Sequence, residues 1–214
     1  MSQAILIMGE SGQGKTTAMQ TLNPDETYYI DCDKNGLNWK HWREQYNAEK
    51  KNYGKTDDQT QVLKVMHGID QKRPEIHNIV IDTISSIMIA DERRRQSEKG
   101  YDKWADLAWS VYDICTQASQ LRDDLNVIIV AHTQTDTDDT TGERFTRILT
   151  NGKKLNKIGL EKYFNIVLLA KEKDGKFVFE TRANHSTAKT PLGAFEANEV
   201  PNDMQAVLDI LKDF

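Results

Sequence analysis

Cysteine is scarce in this sequence of 214 residues: only Cys32 and Cys115, far apart and without a partner at metal-ligand spacing. That excludes a cysteine-based zinc site and a disulfide framework. Cys32 falls in a strand-like run and Cys115 on the apolar face of a helical pattern, so both read as core thiols. Proline is also sparse, with 4 residues, which argues against a disordered or fibrous chain. No stretch approaches the ~18 consecutive apolar residues of a membrane span. The first residues lack the basic start of a signal peptide, and their apolar run reads as a strand, so a cytoplasmic protein is expected. Excess positive charge is missing as well: the net charge is −5 and the pI about 5.6. Such a balance excludes indiscriminate coating of nucleic acid but leaves room for a local basic strip.

What remains is a globular composition, 29% charged and 38% hydrophobic, of a length suited to one compact domain over residues 1–214. Continuous apolar runs at residues 5–8, 27–32, 79–82 and 126–131 predict strands buried on both faces of a parallel sheet. Between them lie helical patterns at 15–22, 57–72 and from Thr83 onward. The clearest helix runs over 104–125, where apolar residues recur at spacings of three and four. Residues 36–54 have no clean period and predict an irregular or partly helical stretch. Residues 133–152 are polar and rich in Thr, Asp and Gly, too long for an ordinary connection, and predict a mobile functional loop. A helix over 153–163, a hairpin of strands 164–171 and 176–182 turning at Lys173-Asp174-Gly175, and a helix over 202–214 complete the chain. Strands alternating with helices, closed by an antiparallel hairpin, make a layered α/β fold with a mostly parallel sheet.

The most specific feature is Gly9-Glu10-Ser11-Gly12-Gln13-Gly14-Lys15-Thr16, a Gly-x4-Gly-Lys-Thr spacing straight after a strand and before a helix. Glycines let the backbone curl so that successive N–H groups point inward at a phosphate. The following helix adds its positive end. Lys15 reaches the β- and γ-phosphates and the Thr16 hydroxyl ligates Mg2+; Thr17 follows as a second-turn helix residue. Accident alone would place the four fixed positions in roughly one chain in a hundred of this length. The segment predicts binding of a nucleoside triphosphate with Mg2+. No guanine-reading motif is visible, so ATP is expected.

Asp82 ends the run Ile79-Val80-Ile81 at the sheet edge where open α/β proteins bind ligands. An aspartate there holds Mg2+, usually through water; its alternative role is to cap the next helix. No acidic residue directly follows it, the next residues being Thr83, Ile84 and Ser85, so a general base must come from another strand end. Strand alternation puts Asp31 and Asp33 on one face of an extended segment. Asp33, further out, is the candidate base, the alternative being a turn formed with Asn35-Gly36. His132, at the end of the strand over 126–131, is the candidate γ-phosphate sensor, with Gln134 as second choice.

Taken together, these positions resemble the RecA/RAD51 superfamily of P-loop ATPases, specifically the short, core-only RecA-like proteins of bacteriophages. The resemblance rests on the phosphate loop, Tyr29-Ile30-Asp31-Cys32-Asp33, Val80-Ile81-Asp82-Thr83-Ile84-Ser85 and Val127 to His132, and continues to about residue 190. It maps the base onto Asp33, where relatives usually have Glu, and the sensor onto His132, where many have Gln. It implies two DNA-facing loops, one with Arg93, Arg94 and Arg95, the other with Arg144, Arg147, Lys153 and Lys154. Tyr101 or Phe145 would stack on bases. The bland reading of Arg93–Arg95 is a solvated helix face beside Asp91, Glu92 and Glu98. The resemblance also implies a homo-oligomer in which Arg182 and Lys189 of one subunit complete the next subunit's site. The expected function is therefore an ATPase of phage recombination that binds, pairs or anneals single-stranded DNA. The alternatives are a nucleotide switch acting on a replication partner, or a nucleoside or nucleotide kinase.

Overall fold

The computed structural model describes residues 1–98, 100–137, 140–150, 159–212 and 214. Each apolar run becomes a strand of one sheet. They are β1 (Gln3–Gly9), β2 (Thr27–Asp31), β4 (Asn78–Asp82) and β5 (Asn126–Thr137), joined by a short edge strand β3 (Tyr53–Lys55). The hairpin is β7 (Ile166–Lys173) and β8 (Lys176–Glu180), and β9 (Glu199–Pro201) borders it. The order across the sheet is β3-β2-β4-β5-β1-β7-β8-β9. Pairing is parallel from β3 through β7 and antiparallel from β7 to β9. The hairpin turns on Asp174 (φ 53°) and Gly175 (φ 76°), the Asp-Gly pair that a tight two-residue turn favours.

Both faces of the sheet are covered, which is why its central strands carry apolar residues without alternation. On one face pack α2 (Gln59–Lys72), α3 (Ile84–Arg94) and α4 (Tyr101–Gln117), with Val62, Met66, Ile69, Ile87, Val111, Ile114 and Cys115 buried against Leu6, Ile79, Ile81 and Ile129. The other face carries the 3-10 turn over Thr17–Thr21 and the terminal helix α5 (Met204–Leu211), with Met19, Val207 and Leu208 against Ile5, Ile7, Val80 and Ile128. This is the three-layer α/β architecture of P-loop NTPases. Among the described residues no helix is long and apolar enough to cross a membrane.

Several local expectations need correction. The helix expected over 15–22 is a 3-10 turn entered by one wider turn, Ala18 N–H to Gly14 carbonyl at 3.0 Å. Residues 36–54 are partly helical as expected, with a short helix α1 (Trp42–Gln45), but also lead into the unexpected strand β3; packing of Trp42 on Tyr53, with centroids 5.3 Å apart, orders a stretch that lacks period. The loop expected over 133–152 contains the end of β5 and a further strand β6 (Arg144–Ile148), paired antiparallel from Thr133↔Ile148 to Thr137↔Arg144. Its Thr-rich alternation is strand-forming, and the Thr146 amide also donates to His185 O at 2.8 Å. The helix expected over 153–163 lies partly outside the described residues; 160–163 form a 3-10 turn.

Candidate active site

The parallel pairing of four strands stops along one edge, beyond which only β5 continues, toward β6. Asp31 of β2 pairs with Asp82 of β4, β4 lies beside β5, and His132 of β5 pairs with Gly9 of β1. The expected site residues at strand ends are thus gathered on one edge, with the phosphate loop rising from the same edge. Gly9 is dictated by contact: a Cβ there would lie 2.9 Å from the Ala170 carbonyl oxygen of β7. Gly14 is dictated by conformation and contact together, with φ +85° and the Phe177 ring 2.7 Å from a Cβ. Gln13 ties the loop to the hairpin by accepting from the Glu172 amide at 2.5 Å. Ser11 and Gly12 form the exposed outer turn.

Lys15 is 6% exposed, and its ammonium donates to the Glu10 carbonyl at 2.7 Å. Burial lowers its pKa while Asp82, Asp33 and Glu10 pull it back up. Thr16 donates to Asp82 Oδ2 at 2.8 Å, and the buried hydroxyl of Tyr29 donates to the same oxygen at 2.5 Å. Asp82 Oδ1 is buried and has no hydrogen-bond partner among the described residues. Burial raises the Asp82 pKa to about 6, against the opposing hydrogen bonds from Tyr29 and Thr16. The helix cap is not Asp82 but Thr83, which accepts from the Ser86 amide at 3.4 Å; the Asp82–Thr83 peptide is cis.

The two β2 carboxylates do not share a face, because the strand ends at Asp31 and the chain bends. Both oxygens of Asp31 are used: Oδ1 accepts from the Lys34 amide (2.7 Å), Oδ2 from the Gly36 amide (2.8 Å) and the Tyr53 hydroxyl (2.6 Å). Asp31, not Asp33, therefore forms the turn. Asp33 reaches toward α3: its Oδ1 accepts from the Thr83 amide (3.2 Å), the Thr83 hydroxyl (3.0 Å) and the Ser86 hydroxyl (2.6 Å). Its Oδ2 accepts no hydrogen bond among the described residues.

His132 is anchored by its backbone, donating to Ser85 Oγ at 3.0 Å and accepting from Leu149 at the base of β6 at 2.6 Å. Burial, and secondarily Lys15, lowers its imidazole pKa. Gln134, the second choice for sensor, is held within the hairpin, donating to Asp136 at 3.0 Å and accepting from the Thr150 amide at 3.4 Å. Thr17 contacts Asn38 at 3.2 Å. The first turn of α3 is thus the shared support: Thr83 and Ser86 hold Asp33, and Ser85 holds His132. Sequence reasoning missed Tyr29, Ser85 and Ser86. For Tyr29 a signal existed, since a buried tyrosine hydroxyl needs a partner.

The donor set fits a triphosphate and a hard cation. Among the described residues the amides of Gly12, Gly14, Lys15 and Thr16 make no hydrogen bond, as expected of a backbone cradle for an anion. The orphaned carboxylate oxygen of Asp82 beside the Thr16 hydroxyl is the oxygen-ligand pairing Mg2+ prefers.

The remaining expected residues lie elsewhere. Arg182 donates to the Phe195 carbonyl (2.9 Å) and to Asn198 (3.3 Å), and the Lys189 backbone pairs with Val167 within β7. No hydrogen bond or ion pair among the described residues links either to the phosphate loop of the same chain. Arg94 is ion-paired with Asp57, Arg95 with Glu98 and Asp106, and Arg147 with Asp136. Arg93, at the end of α3, and Arg144 of β6 make no ion pair among the described residues and are exposed. Lys153 and Lys154 lie outside the described residues, as does the side chain of Tyr101.

A family model described as an AAA domain matches residues 1–208. No curated protein matches the chain.

Proposed function

The chain belongs to the AAA domain family and is a nucleotide-binding ATPase, and on that premise we propose that it is a Mg2+-dependent, RecA-like protein of phage recombination that binds single-stranded DNA. The observation that carries this reading is the convergence of Lys15, Thr16, Asp82, Asp33 and His132 on one sheet edge, directly below the β5–β6 hairpin. Mg2+, held through Thr16 and Asp82, would neutralise charge on the β- and γ-phosphate oxygens. Lys15 and the loop amides bind and orient the phosphates. Asp33, with Oδ1 fixed by three donors, keeps Oδ2 to accept a proton from water as it attacks. His132 senses the γ-phosphate and passes its presence to the hairpin through its bond to Leu149, a two-state element of the kind nucleotide switches use. Arg182 or Lys189 of a second copy supplies positive charge to the departing phosphoryl group.

The DNA surface in this reading is the hairpin, where Arg144 and the 42% exposed Phe145 stand on β6. Contacts of that kind make binding fall with salt. A second reading, an ATP switch acting on a replication partner, is favoured by the ion pairing of Arg94, Arg95 and Arg147. The experiment that decides is the ATPase rate with and without a single-stranded oligonucleotide, on the natural protein, Lys15→Ala and Asp33→Asn. Stimulation by the oligonucleotide, lost in both variants, is expected. Unstimulated hydrolysis together with nucleotide-dependent co-elution of a helicase favours the switch, and phosphate transfer to a nucleoside would point to a kinase. Hydrolysis near natural levels in Asp33→Asn would remove Asp33 as the base.

A further inference from the structure

Tyr29 is completely buried, and its ring packs against Trp39, Tyr46 and Tyr53 with centroids 6.5, 5.7 and 6.5 Å away. Packing accounts for the ring, because a phenylalanine would fill the same space. It does not account for the hydroxyl. A buried hydroxyl is costly unless bonded, and this one has a single partner among the described residues, Asp82 Oδ2. The neighbouring strand end gives an internal comparison. There Tyr53 donates to Asp31, which also accepts two backbone amides, so both carboxylate oxygens are spent on local structure. At Asp82 the two hydroxyl donors, Tyr29 and Thr16, fall on one oxygen, and the other is buried and, among the described residues, unpartnered. The asymmetry is what a metal-facing carboxylate needs: one oxygen clamped, one kept for a ligand.

We propose that Tyr29 is a positioning residue for the metal, its hydroxyl locking the Asp82 carboxylate so that Oδ1 is presented to the cation's ligand shell. The proposal rests on the reading of Thr16 and Asp82 as the Mg2+ site. Tyr29 does not touch nucleotide or metal. It acts through Asp82 from the strand beneath, where Tyr29 pairs with Val80 and thus lies two residues before Asp82 in the register of β4. Thr16 can donate to Oδ2 and still offer a lone pair to a cation, so its bond does not duplicate the lock. Partners that orient metal ligands typically contribute 10- to 100-fold to metal affinity.

The test is binding of a fluorescent ATP analogue to Tyr29→Phe, Tyr53→Phe, Asp82→Asn and the double variant Tyr29→Phe/Asp82→Asn, first in chelator and then across a Mg2+ titration. For Tyr29→Phe the expected result is unchanged affinity in chelator and a Mg2+ half-saturation raised about tenfold. Tyr53→Phe, which loses an equivalent hydroxyl-to-carboxylate bond at Asp31, should leave the Mg2+ dependence in place. In the Asp82→Asn background, Tyr29→Phe should add nothing. A half-saturation within about twofold of the natural protein for Tyr29→Phe, while Asp82→Asn abolishes the Mg2+ effect, overturns the proposal and leaves the metal site standing. If Asp82→Asn also leaves the Mg2+ effect intact, the metal reading falls and the proposal with it. Equal losses in chelator and in Mg2+ for Tyr29→Phe would make the hydroxyl merely structural, which also overturns it.

Discussion

Asp82→Asn should make the metal-free protein's stability respond to pH in a way that isolates one buried carboxyl. The folded pKa of Asp82 is raised to about 6 from an ordinary 3.8, and burial is the largest cause. The gap is about two pKa units at about 1.4 kcal/mol each, so ionising Asp82 costs the folded state about 3 kcal/mol. The folded state holds this proton more tightly than the unfolded chain. Stability of the natural protein therefore falls as pH rises from the unfolded value through the folded one, and this contribution is constant above that window. About 2 kcal/mol of the loss falls between about pH 4.5 and about pH 7.5. An asparagine carbonyl can still accept from Tyr29 and Thr16, but its amide would occupy the place of the unpartnered Oδ1. That mismatch costs about 1–3 kcal/mol at every pH and so drops out of the slope. Urea unfolding in chelator, without nucleotide, should show the variant gaining about 2 kcal/mol on the natural protein between those two pH values. A flat or falling difference would refute the burial argument.

Three further outcomes follow from the same geometry. Ser86→Ala removes one of the three donors on Asp33 Oδ1; kcat should fall about tenfold, as for loss of a bond to a charged group, with nucleotide affinity unchanged in equilibrium binding. Gly14→Ala meets both a φ of +85° and the Phe177 ring; nucleotide affinity should fall about 5- to 30-fold from backbone strain alone, and Phe177→Ala should not restore it. If Arg182 serves a neighbouring site, an equimolar mixture of Lys15→Ala and Arg182→Ala should regain ATPase activity that neither variant shows alone, and no regain would confine each site to one chain.

The parts of the fold legible in the sequence are those where one physical requirement dominates. Strands buried on both faces must be apolar throughout, so β1, β4 and β5 stand out as runs, and their ends locate Gly9, Asp82 and His132. The phosphate loop is legible because its glycines answer a backbone constraint that no other residue meets at Gly9 and Gly14. The β5–β6 hairpin was not legible because its outer part is largely solvated: Thr135, Thr137 and Arg144 alternate without an apolar face, and hydropathy reads such a segment as loop. The edge strand β3 spans Tyr53–Lys55 only, too short to show a period. The roles of Asp31 and Asp33 depend on where β2 ends, and one residue of extension or bend reverses which side each faces. Tyr29 and Ser86 act only through residues distant in sequence, 53 positions away in each case; a tyrosine in a buried strand announces that its hydroxyl needs a partner, but nothing local announces which residue that partner is.

Calorimetric titration of ATP with Mg2+ into the natural protein, Lys15→Ala and Asp82→Asn measures whether the phosphate loop and the neighbouring strand end hold one metal-bound triphosphate together. The expected result is one nucleotide per chain, binding lost or greatly weakened in Lys15→Ala, and binding in Asp82→Asn that no longer responds to Mg2+. Equal uptake by all three proteins, or none by the natural one, would contradict it.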